Sequence, residues 1–152
     1  MRNLVSQRNR LDDLFRKVES LPVDAEIQAH WARYLCVLVS GFLENAVYSI
    51  YSEYARKQSA PFVASYVEKQ LSGFQNPNLR KILDLSGAFN PMWRTQIETD
   101  ISDELKDAVT SIVSNRHLIA HGKNTDITFI QVRNHYQNIL KLIDFLRHQC
   151  NV

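Results

Sequence analysis

Glycine and proline are scarce in this chain, four of each in 152 residues, and cysteine is scarcer, at two. So few breakers leave no stretch that resembles a flexible linker, and the length suits one globular domain spanning 1–152. Cys36 and Cys150 lack metal-site or redox spacing, and Cys36 lies within the apolar run YLCVLVSGF as a buried thiol. No oxidising compartment is demanded. Charge of one sign is also lacking: 18 Lys and Arg face 16 Asp and Glu, a net charge of +2. That excludes a strongly basic nucleic-acid coat, yet does not oppose a polyanionic ligand. No long apolar run is present either. The richest stretch, Tyr34 to Phe42, is about half the length that spans a bilayer, and the charge-interrupted N-terminus MRNLVSQRNRLDDLF lacks the apolar centre of a signal peptide. The expectation is a soluble, cytoplasmic protein without a membrane partner.

Period-two alternation and Asn-Gly or Asp-Gly hairpin signals are missing too, as are internal repeats and low-complexity tracts. What remains is helical periodicity. Leu4, Leu11, Leu14, Phe15 and Val18 form one face of a first helix that stops before Pro22. Asp24 is placed to cap a second, from Ala25 to Gln58, with Ile27, Trp31, Leu35, Leu38, Phe42, Ala46 and Ile50 along one side. At about 1.5 Å per residue it approaches about 50 Å. Such length calls for a kink at Gly41 or an extension into a partner. Pro61 opens a third helix that ends near Gly73. Asn76-Pro77-Asn78 reads as a turn, LRKILDL as a short fourth helix, Gly87 to Pro91 as a break, and MWRTQI as a further helical turn or two. Ser102 caps a helix with Asp103 and Glu104 in its first turn, running to Ala120 and stopping at Gly122. Thr128 and Gln131 form a capping box for the last helix, with Val132, Tyr136, Ile139, Ile143 and Leu146 facing inward. The fold class is all-α: an up-and-down helical bundle with one long helix.

Arg116 interrupts this pattern. With Leu105 at zero and about 100° per residue, it falls at about 20°. That is inside the stripe of Leu105, Ala108, Val109, Ile112, Ile119 and Ala120. An unpaired buried guanidinium costs several kcal/mol, on the order estimated for isolated charges. Its counter-charge must come from an ion pair such as one with Glu44, a route to water, a subunit seam or an anionic ligand. His117 and His121 follow, four apart, on one side of the helix and next to its C-terminal end. An arginine for charge and a histidine for proton transfer suit chemistry on a phosphate. The histidine pair also has the spacing of two metal ligands. However, no carboxylate lies between them as in H-E-x-x-H, and no nearby Cys or Asp completes a set, so neither a metal nor another cofactor is expected. In a straight helix Arg116 and His121 diverge by about 140° and about 7.5 Å. They converge only through arginine's reach, a helix end before His121, or pairing across a dimer.

The segment Arg116-His117-Leu118-Ile119-Ala120-His121 resembles the R-x4-6-H motif of the HEPN superfamily, and His117 fills the polar place that commonly follows the arginine. Gly122 and the position of the motif near the end of a penultimate helix also resemble the family. This resemblance implies a helical domain that dimerises through the motif-bearing region, with two Arg–His pairs forming one cleft. It implies Arg116 and His121 as catalytic residues of a metal-independent endoribonuclease. Such enzymes are often toxins or antiviral defence effectors, paired with an antitoxin or a nucleotidyltransferase-type protein. Asn115, His117, Lys123 and Glu44 are the candidate RNA-binding or supporting residues. Other family members have lost catalysis and bind a protein partner or RNA instead.

Overall fold

The structure, a computed structural model, describes residues 2–152. Seven helices and no strand occur among them: α1 Arg2–Glu19, α2 Ala25–Gln58, α3 Pro61–Leu71, α4 Leu79–Phe89, α5 Pro91–Asp100, α6 Asp103–Ala120 and α7 Phe129–Cys150. The fold is an all-α bundle. The expected N-caps accept hydrogen bonds from backbone N–H groups: Asp24 from Ile27, Ser102 from Leu105 and Thr128 from Gln131. The Thr128–Gln131 capping box closes in both directions. Each removes an orphan donor from a helix end, which is why these boundaries were readable.

The α2 helix is the organiser. It packs against α1, α3, α6 and α7, while α6 also packs on α7. Leu35, Cys36, Val39, Leu43, Ala46, Val47 and Ile50 of α2 are wholly inaccessible to solvent. Each large aliphatic side chain so buried contributes about 1.5–3 kcal/mol. Across the bundle, Phe15 of α1 stacks on Tyr136 of α7 at 4.9 Å, and the Tyr136 hydroxyl donates to Asp12 at 2.8 Å. These contacts satisfy the one polar atom of a ring that is otherwise buried.

Two expectations need correction. The first concerns α2, which is one continuous helix through Gly41 with α1, α3, α6 and α7 packed against it. Its first turns are less covered, so Ile27 is exposed rather than part of the inward side. The second correction concerns Gly87, which is not a break. The α4 helix continues to Phe89, and a Cβ at Gly87 would lie 3.3 Å from the Arg94 Cβ, so the glycine admits α5 closely. Chain reversal falls to Asn90, whose side chain caps α5, and MWRTQI becomes part of a ten-residue helix. By length and composition α2 is apolar enough to cross a membrane, although 61% of its most apolar window is buried inside the bundle.

Candidate functional site at the end of α6

The fully buried face of α6 consists of Ala108, Val109 and Ile112, joined by the nearly inaccessible Val113. Beyond it the helix emerges: Arg116 and Ile119 are half-buried, and His117, Ala120 and His121 are exposed. Thus the stripe carries Arg116 to the rim of the bundle rather than into its centre.

A Schellman motif ends the helix. The Lys123 N–H donates to the Leu118 carbonyl at 2.9 Å, and the Gly122 N–H to that of Ile119 at 3.1 Å. The motif requires a left-handed residue, which Gly122 supplies at φ +65. His121 is already outside the α-helix, at φ −94 and ψ 13. Its ring meets that of His117 edge-on, with centroids 4.4 Å apart. The two imidazoles therefore form an exposed pair on the last turn, next to the exposed Lys123.

Arg116 turns elsewhere. Its Nη1 donates to the Oδ1 of Asn76 at 3.0 Å, and the Asn76 N–H donates to Glu44 Oε2, also at 3.0 Å. Glu44 from α2, Asn76 from the α3–α4 loop and Arg116 from α6 thus form one chain of contacts. Among the described residues no carboxylate lies within ion-pairing distance of Arg116, so the direct pair with Glu44 offered by the sequence does not form. Asn115 is engaged at both ends of its amide: Nδ2 donates to the Ser111 carbonyl at 2.8 Å, while Oδ1 accepts from the Thr125 hydroxyl. This ties α6 to the loop leading into α7.

Among the candidates, then, Arg116 and Glu44 are linked through a third residue, and His117 is brought to His121. The side chains of Arg116 and His121 share no hydrogen bond within one chain. Asn76 and Thr125 were not singled out from the sequence. Asn76 was visible only as a turn residue before a proline, with nothing to connect it to an arginine forty positions away. Among the described residues, no group of three or more His, Cys, Asp and Glu side chains is arranged to hold a metal ion.

The model of the family described as RiboL-PSP-HEPN matches residues 2–151. The chain belongs to this family. Comparisons with curated proteins and with solved structures gave no match. HEPN membership supports a HEPN-type nuclease or RNA-related function in general terms. The matched residues take in all seven helices, including the end of the penultimate helix where Arg116 and His121 lie.

Proposed function

We propose that this HEPN protein, a single domain over 1–152, is a metal-independent endoribonuclease acting as a cytoplasmic homodimer. The observation that carries the reading is the end of α6. The last turns of this helix carry an exposed imidazole pair and an arginine that has no carboxylate partner and keeps most of its donors unspent. An RNA phosphate would supply the missing counter-charge. Arg116 binds it through the planar guanidinium and stabilises the charge that grows in the transition state. His121 takes the proton of the 2′-hydroxyl as the O2′–P bond forms. As the P–O5′ bond breaks, the symmetry-related histidine returns a proton to the leaving oxygen. The products are a 2′,3′-cyclic phosphate and a 5′-hydroxyl, and DNA is spared for want of the nucleophile. His117 and Lys123 support the phosphate backbone, Asn115 holds the loop, and Glu44 acts behind Arg116. A toxin or antiviral defence effector, silenced by an antitoxin or a nucleotidyltransferase-type partner, fits this activity.

The second reading is a catalytically inactive HEPN-type module that binds a protein partner or RNA. The observation favouring it is that Arg116 and His121 do not meet within one chain. End-labelled RNA incubated with the protein in EDTA separates the two. Wild type should cut and leave cyclic phosphate ends, with His121→Ala slower by roughly 10²–10⁴ and Arg116→Ala also impaired. A folded dimer that leaves every RNA intact would hand the conclusion to the binding module. Equal cleavage by wild type and both variants would mean that these residues do not carry the chemistry.

A further inference from the structure

We propose that Asn76 is a positioning residue for Arg116, locked by Glu44, which aims the guanidinium at an RNA phosphate without neutralising it. The proposal rests on the reading of Arg116 as the phosphate-binding group.

Three segments far apart in sequence converge here with little freedom left over. Asn76 stands at φ +52, a left-handed conformation that asparagine tolerates better than most residues with a side chain. Its backbone is held on both sides: the N–H by Glu44 Oε2 at 3.0 Å, the carbonyl by the Asn78 N–H at 2.7 Å. The Lys81 ammonium donates to the neighbouring Gln75 carbonyl at 2.7 Å, adding a further tie to the loop. With the backbone so held, the Asn76 amide oxygen meets Arg116, whose Nη1 donates to it at 3.0 Å.

The chemistry of the partner matters as much as its position. Elsewhere in this protein Arg56 pairs with Glu68, Arg94 with Asp84 and Glu98, and Arg133 with Glu19. Those guanidiniums are largely spent on carboxylates. Arg116 instead meets a neutral amide, which accepts one N–H and leaves the full charge and four donors for a bidentate phosphate contact. The nearest acid in the chain of contacts, Glu44, is kept one residue back, where it fixes the loop through a backbone N–H. This also accounts for an acid in the apolar segment SGFLENAV of α2.

The test uses the full chain with Asn76→Asp and Asn76→Ala. Cleavage is read as kcat and KM separately, and the Arg116 side-chain N–H signals are followed by NMR. Asn76→Asp is close to isosteric and suits the left-handed backbone, so a purely structural role predicts wild-type cleavage. Positioning without neutralisation predicts that Asn76→Asp folds normally yet cleaves roughly ten- to hundredfold more slowly, because its carboxylate competes with the phosphate. Asn76→Ala should lose a comparable factor while its Arg116 signals collapse toward those of a mobile side chain. Wild-type cleavage by Asn76→Asp overturns the proposal and leaves the ribonuclease reading standing. If the wild type itself cuts no RNA, the ribonuclease reading fails and the NMR decides alone. Arg116 signals unchanged in Asn76→Ala then overturn the positioning role, and their loss upholds it.

Discussion

Gly41→Ala and Gly122→Ala add the same methyl group at two sites where a Cβ would meet nothing within 4 Å. Their effects on stability should nevertheless have opposite signs, because only the backbone differs. Gly41 lies within the unbroken α2, where glycine costs about 0.5–1 kcal/mol relative to alanine through its larger loss of chain entropy. Gly41→Ala should therefore stabilise by about that much. Gly122 stands at φ +65, where an L side chain costs roughly 1–2 kcal/mol. Stiffening of the unfolded chain offsets about 0.4–1 kcal/mol of this. A net loss of about 1 kcal/mol remains, equivalent to about 2–4 °C in Tm for a chain of this length. Urea titrations followed by far-UV circular dichroism read both, as shifts of the midpoint with an unchanged slope. Gly122→Ala should also slow RNA cleavage beyond its loss of stability, since the turn that ends α6 places His121 and Lys123. Two shifts of the same sign, or a neutral Gly122→Ala, would refute the left-handed cap and the placement of His121 built on it.

Other expectations follow from buried titratable groups. Burial pushes the Cys36 and Cys150 thiols up to about 12, so neither should react with a disulfide reagent near pH 8 in the native protein, and both should react in urea. Rapid stoichiometric labelling without denaturant would contradict this. Burial also lowers the pKa of His135, with Asp107 opposing the shift in part. Between that lowered value and the unfolded value of about 6.5, the unfolded chain binds more protons, so stability rises with pH and is lost on acidification through this window. The urea midpoint should fall between about pH 7.5 and about pH 5.5, and His135→Gln should flatten the slope. An identical slope in the variant would remove His135 from the account.

Much of the fold was legible because its determinants are local. The caps at Asp24, Ser102 and Thr128 and the prolines at 61 and 91 act within a few residues of themselves, and so does Gly122. Gly87 misled for the opposite reason. A glycine before Asn90-Pro91 looks like part of a break, and only the approach of Arg94 from the next helix shows it to be a packing residue. Ile27 followed the same apolar period as Leu35, but a period cannot say where the neighbours of a long helix end.

The candidate site divides along the same line. Local sequence alone determined the R-x4-H spacing, the i,i+4 histidine pair and the turn at Gly122, since helix geometry and a left-handed glycine need no distant partner. Tertiary structure decided the environment of Arg116. Whether a guanidinium meets a carboxylate, an amide or water depends on which side chains other elements deliver. Here α2 and the α3–α4 loop bring Glu44 and Asn76 from 72 and 40 residues away. Helical periodicity carries information over a few turns, whereas hydrogen bonds between elements are set by packing, and for that reason Asn76 became visible only in the folded chain.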